Sequence, residues 1–199
     1  MTSTKNPVAA RDGAGLGCVS CSPADDLRAH ITERRNAQES ANGLGIDIGV
    51  HGGLALLTPA RDLIDVADLP SLPDGLQGRL AINGALLALY VHKWAPAVAY
   101  VEFVSSRPTD SRPSAFSFGR ARGCIEGTLA ACRVPIVWLT VPHWRRTVGL
   151  PAAASKDHCR GKAIQLWPAF ADSFARVCDA DRAEAALIAA AGRLREGPK

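Results

Sequence analysis

Gly43-Leu44-Gly45-Ile46-Asp47-Ile48-Gly49-Val50-His51-Gly52-Gly53-Leu54-Ala55-Leu56-Leu57 decides how the rest of the chain is read. It reads as two β-strands, 44–50 and 53–58, joined by a tight glycine turn. Strand side chains alternate, so Leu44, Ile46 and Ile48 share one face and Asp47 points to the other. An unpaired carboxylate inside an apolar strand is costly to bury. A cation, a hydrogen-bond network or a metal ion has to compensate it. The bland alternative is a carboxylate that backbone N–H groups or solvent satisfy. Gly49, Gly52 and Gly53 permit the sharp turn and leave room for a ligand near Asp47.

Outward from this hairpin, residues 63–66 read as a third strand, and Pro70, Pro73 and Gly75 then break the chain. Short turns between three successive strands imply antiparallel pairing. Residues 77–94 show helical spacing, with Leu76, Leu80, Leu87, Tyr90 and Trp94 among the apolar positions. Residues 98–104 form a fourth strand, and Glu102 is a second carboxylate in an apolar setting. A loop over 105–113 carries Arg107 and Arg112, at a strand end where binding residues commonly sit. Ser114 is placed to cap a helix running to Cys132. Gly119, Gly123 and Gly127 recur every four residues in it, each costing about 1 kcal/mol of helix propensity relative to Ala. Close approach of another backbone would offset that cost, from the helix's own sheet or from a second subunit.

A fifth strand covers 136–141, followed by a short helix or turn with His143, Arg145 and Arg146. Ser155 caps the next helix, 156–167, which carries Lys156, Arg160 and Lys162. A lysine in a first helical turn opposes the helix dipole, which suggests a phosphate contact. The last helix starts near Asp181. Asp181 and Glu184 share one face with Leu187, Ile188 and Ala191. Acids at a helix start are often only dipole partners or caps.

Composition sets the outer bounds. The chain has 199 residues, 47% hydrophobic and 21% charged, enough for one domain with a real core. No apolar run is long enough to span a bilayer, so no membrane partner is expected. The N-terminus shows no signal-peptide pattern, so the cytoplasm is the expected compartment and the six cysteines read as free thiols. Residues 1–42 read as a mobile extension, 43–195 as one folded domain and 196–199 as a polar tail. Cys18-x-x-Cys21 in the extension is a weak zinc signal, because a tetrahedral site needs four ligands. From residue 107 to 162, ten lysines and arginines stand against Asp110, Glu126 and Asp157, a formal +7. Such a bias suits a polyanion such as nucleic acid, although patchy surfaces are common.

Four acids therefore stand out: Asp47 and Glu102 in strands, Asp181 and Glu184 opening a helix. If the first and fourth strands are neighbours, these carboxylates converge, and they cannot all ionise in a dry site without cations. Oxygen-only ligands favour Mg²⁺ or Mn²⁺ over zinc.

The element order and the placement of the acids resemble the ribonuclease H-like fold, and within it the RuvC-like Holliday junction resolvases. Four pieces carry the resemblance: Gly45-Ile46-Asp47-Ile48-Gly49 with Gly53-Leu54-Ala55; Val101-Glu102; residues 118–123, Phe-Gly-Arg-Ala-Arg-Gly; and residues 181–189, Asp-Arg-Ala-Glu-Ala-Ala-Leu-Ile-Ala. The resemblance implies an α/β fold with a five-stranded mixed sheet, its first three strands antiparallel and two more added after helices. It implies a structure-specific endonuclease that cleaves four-way DNA junctions with two Mg²⁺ or Mn²⁺ ions held by Asp47, Glu102, Asp181 and Glu184. It implies a homodimer with the glycine-bearing helix near its interface. Lys156 would then lie near the scissile phosphate, and Arg107, Arg112, Arg120, Arg122, Lys156, Arg160 and Lys162 would bind branched DNA. Phe116 or Phe118 could stack on an unpaired base, or sit in the core. Glu184 departs from the aspartate usual in the bacterial recombination enzymes, and relatives associated with phage-type genomes often carry Ala-Glu-Ala there. Three rivals remain. One is a related nuclease for other branched or flapped DNA. Another is a non-catalytic DNA-binding scaffold of the same fold. The third is the actin-like ATPases and sugar kinases, which share Ile-Asp-Ile-Gly but need a second domain.

Overall fold

A computed structural model describes residues 42–49, 51–75, 78–105 and 109–196. Among the described residues seven strands form in chain order: β1 (Gly43–Asp47), β2 (Gly53–Leu57), β3 (Leu63–Asp68), β4 (Ser71–Pro73), β5 (Leu80–Ile82), β6 (Val98–Glu102) and β7 (Ile136–Leu139). The helices are α1 (Gly84–Trp94), α2 (Arg112–Ala131), α3 (Val141–Thr147), α4 (Lys156–Leu166) and α5 (Ala180–Glu196), with two 3-10 turns between α4 and α5. The main sheet has five strands in the order β3-β2-β1-β6-β7. β1, β2 and β3 are antiparallel, as their short connections require, while β6 and β7 join in parallel after helical crossovers. The fourth strand of the sequence reading thus lies directly beside the first.

Two local readings change. The helix expected over 77–94 begins only at Gly84, where the Asn83 side chain accepts a hydrogen bond from the Leu86 N–H at 3.1 Å. Before it, β5 pairs with β4 as a separate two-stranded ribbon. Leu80 falls on a helical repeat with Leu87 as readily as on a strand, so only the pairing separates the two. The long helix is capped by Ser111 rather than Ser114, with Pro113 in its first turn where the missing N–H costs nothing.

The alternation in β1 divides the core in two. Leu44, Ile46 and Ile48 pack with Ala99, Val101, Leu87, Ile125 and Leu129 on the α1/α2 side. Ala55, Leu57 and Tyr100 pack with the alanine-rich α5 and with Trp144, Cys159 and Phe174 on the other. On that second side α5 lies unusually close. A Cβ at Gly45 would strike the Ala185 carbonyl oxygen and stand 2.8 Å from Ala189 Cβ; one at Gly53 would strike the Asp181 carbonyl oxygen. Glycine in the strands and alanine at 183, 185, 186, 189, 190 and 191 let helix and sheet backbones meet. That contact positions the site.

By contrast, a Cβ at Gly119, Gly123 or Gly127 would meet nothing within 4 Å. The expected packing of these glycines against their own sheet does not occur. Only Ile125 and Leu129 of α2 are buried, and the first half of the helix is largely exposed. Phe116 (72% exposed) and Phe118 (40%) ride on that half and are not core aromatics.

Candidate metal centre

Asp47 ends β1 and Glu102 ends β6, one step beyond the Ile46–Val101 pair of the parallel register. Both side chains point to the α5 face, the side opposite Ile46 and Val101. α5 begins at the same end of the sheet and delivers Asp181 and Glu184, one turn apart. One carboxylate oxygen from each of Asp47, Asp181 and Glu184 lies within 4.8 Å of the other two. Glu102 stands outside that trio but is coupled to it electrostatically.

Crowding shows in the protonation equilibria. Burial, followed by the charges of Glu102, Glu184 and Asp181, holds the Asp47 carboxyl well above the usual carboxylate range. Glu102 is pushed up to about 7, chiefly by burial and next by Glu184, while Arg145 opposes the shift. A divalent cation held there would offset both causes, because it would supply positive charge where solvent is excluded. The donor set is all carboxylate oxygen, with Glu184 buried and the others half-buried, and is drawn from β1, β6 and α5 rather than one helix turn. It fits a hard ion such as Mg²⁺ or Mn²⁺.

Two cations border the cluster. Lys156 Nζ donates to Asp181 Oδ1 at 2.6 Å, from a side chain 62% exposed. This accounts for a lysine in the first turn of α4: its partner is an acid of the next helix. Arg145 Nη2 lies 3.5 Å from Glu184 Oε1, and its side chain is 19% exposed. The buried Cys159 thiol also donates to Glu184 Oε1, at 3.4 Å, and burial followed by Glu184 pushes that thiol up to about 12. Neither Arg145 nor Cys159 stood out in the sequence. Arg145 is one of two adjacent arginines, and nothing local says which faces inward.

The start of α5 is held by a second set of charges. Arg182 donates to both carboxylate oxygens of Asp68 on β3, at 2.5 and 2.7 Å. Buried Asp179 accepts from the Arg176 N–H at 2.9 Å and from its guanidinium at 2.8 Å. The Arg182–Asp68 pair sets the helix start against the sheet edge across 114 positions of sequence, and Asp179 ties the preceding turn locally.

The expected DNA-binding side chains fall in several places. Arg107 lies outside the described residues. Arg112 is exposed at the start of α2, with no ion pair among the described residues. Arg120 pairs with Asp74 of the ribbon connection. Arg122 bonds Glu126 at 2.9 Å and stacks on Phe103 and Trp138. Arg160 donates to the Phe174 and Ala175 carbonyls and to Asp157, tying α4 to the following 3-10 turn. Lys162 borders a cavity of about 320 Å³ with Arg61, Trp167 and Leu194, toward the C-terminal end of α5 and away from the acids. The Cys18/Cys21 pair is also outside the described residues; Cys124, Cys132, Cys159 and Cys178 are free thiols. No helix among the described residues is long and apolar enough to cross a membrane.

No protein-family model matches the chain, and no curated protein matches its sequence. Solved structures do match its fold. The RuvC of T. thermophilus in complex with a Holliday junction substrate superposes with a TM-score of 0.51 at 17% identity, covering 78% of this chain and 96% of that one. The yeast mitochondrial Holliday junction resolvase Ydc2 gives a TM-score of 0.50 at 16% identity, covering 79% and 81%. The chain thus shares the fold of these two resolvases, a five-stranded mixed sheet flanked by helices.

Proposed function

We propose that this chain is a divalent-metal-dependent endonuclease that hydrolyses phosphodiester bonds in four-way DNA junctions. The observation that carries the reading is the meeting of Asp47, Asp181 and Glu184, with Glu102 beside them, on a fold shared with junction resolvases. A non-catalytic scaffold has no use for that cluster, since burying like charges together only destabilises it.

Asp47 is the central ligand, because it is coupled to all three other acids. Asp181 and Glu184 hold one side of the centre and Glu102 the other. Two Mg²⁺ or Mn²⁺ ions bound there would supply activation of a water nucleophile and charge compensation at the leaving 3′-oxygen. The chain's own residues orient and exclude. α5 seals the sheet side of the site against water through the Gly45 and Gly53 contacts. Lys156 is exposed enough to exchange Asp181 for a DNA phosphate oxygen close to the bond that breaks. Arg112 and Lys162, with no ion pair among the described residues, are available to phosphates as they stand. Arg120, Arg122 and Arg160 would first have to release protein partners. Binding through such contacts should weaken steeply with salt.

A four-way junction presents two symmetric strands, which a homodimer matches with two sites. The open glycine face of α2, with Phe116 and Phe118 exposed beside it, supports that assembly. The test is nicking of synthetic four-way, flap and linear duplex DNA with and without Mg²⁺. Cleavage confined to the four-way junction is expected, and Asp47→Asn should reduce it to background while leaving junction binding largely intact. Preferential cutting of flaps would reassign the substrate. Undiminished cutting by Asp47→Asn would remove Asp47 from the chemistry.

A further inference from the structure

The two bordering cations differ in kind. Lys156 is at the surface on a flexible arm. Arg145 is built in. Its Nη1 donates to the Ala152 carbonyl at 2.9 Å, and its guanidinium lies 5.3 Å from the ring centre of fully buried Trp144. Its Nε is buried with no hydrogen-bond partner. A guanidinium is never neutral in a protein, and burying it with an unpartnered donor is costly unless a nearby negative charge compensates. Here that charge is Glu184, at 3.5 Å, with Glu102 next within reach of its field.

The geometry around Glu184 is one-sided. Both Arg145 and Cys159 address Oε1. No hydrogen bond among the described residues reaches Oε2, which leaves that oxygen for a metal ion. The arginine and the ion would therefore share one carboxylate. Two cations sharing one ligand in a site of low dielectric repel each other by an amount that depends on their spacing.

We propose that Arg145 is a resident counter-ion of the acid cluster: it neutralises Glu184 when no metal is bound and, by repelling the incoming divalent ion, sets the metal concentration the site requires. The proposal rests on the metal-centre reading above. Arg145 is a positioning residue in this scheme, since it acts on the carboxylates and not on the substrate.

The experiment is calorimetric titration of Mn²⁺ into metal-free protein, with thermal melts of the same samples. Arg145→Gln should bind Mn²⁺ about tenfold more tightly than wild type, because a point repulsion is gone. Its metal-free Tm should fall, and saturating Mn²⁺ should raise it by about twice the wild-type gain. Arg145→Lys keeps the charge and should bind Mn²⁺ within about threefold of wild type. Should Arg145→Gln unfold without metal yet fold when loaded, graded EDTA should unfold it as the ion leaves, which supports the proposal equally. Failure to fold even with saturating Mn²⁺ overturns it, because the ion should replace the missing charge. Unchanged or weaker Mn²⁺ binding by Arg145→Gln overturns it, as does tenfold tighter binding by Arg145→Lys. Absence of Mn²⁺ binding by the wild type removes the metal centre itself, and this inference with it.

Discussion

On the face of the sheet that carries Asp47, the acid-bearing end of α5 lies on Gly45, Gly53 and Ala55; on the opposite face, α1 and α2 lie on leucine, isoleucine and valine. Large side chains tolerate small shifts of the helix they support, because they can repack. Backbone against backbone cannot give. The tight face therefore fixes where Asp181 and Glu184 stand relative to Asp47, while the looser face supplies hydrophobic burial. The glycines show the same contrast. Those of β1 and β2 are filled by α5, and those of α2 face open space. A glycine's meaning is set by what approaches it, and the residue itself does not say which.

The largest break in this contrast should come from Gly45→Val. Its side chain would enter the space of the Ala185 carbonyl and Ala189, and we expect a loss of at least ~3 kcal/mol in urea unfolding, with metal binding lost as well. A valine tolerated there without loss would mean that α5 can rise off the sheet.

The acid-bearing face should also give the protein an inverted pH response. Glu102 titrates near 7 in the folded protein against 4.5 for the free group, and Asp47 is raised too. Between those values the folded state binds more protons than the unfolded one, so stability falls as pH rises. In EDTA, Tm should drop from about pH 5 to pH 7.5 and then level. Saturating Mn²⁺ should flatten that drop, and Glu102→Gln should reduce it. A metal-free Tm that rises over this interval would contradict the crowding of the acids.

Arg182→Ala tests the clamp on α5. The Asp68 side of the pair is exposed, so the stability cost should be modest, about 1 kcal/mol. Metal affinity should weaken further than that cost suggests if the clamp sets the position of Asp181. The smallest effect belongs to the loose face. Gly123→Ala should stabilise by up to ~1 kcal/mol, since α2 gains propensity and nothing is displaced. If the open stripe of α2 is a subunit interface, sedimentation should show weaker self-association for this variant at the same time.

Much of this was legible in the chain. A carboxylate in an apolar strand is conspicuous, so Asp47 and Glu102 announced themselves, and the glycine turn placed the hairpin. The ribbon strand β5 was not legible, because three residues cannot distinguish a period of 2 from one of 3.6. Phe116 and Phe118 were equally opaque, since exposure of one half of a helix depends on where the body ends. Arg145 and Cys159 were invisible as site residues for the same reason: neither is unusual where it stands.

Local chemistry, then, already determined the five strands of the main sheet, the Ser155 cap of α4 and the four acids, because alternation, capping and the cost of a buried charge are properties of neighbouring residues. Only the tertiary structure decided that α5 descends onto glycines, that Arg145 turns inward to Glu184 and that the stripe of α2 stays open. Each of those depends on which surfaces from distant parts of the chain come into contact, and distance in space is not written in any single segment.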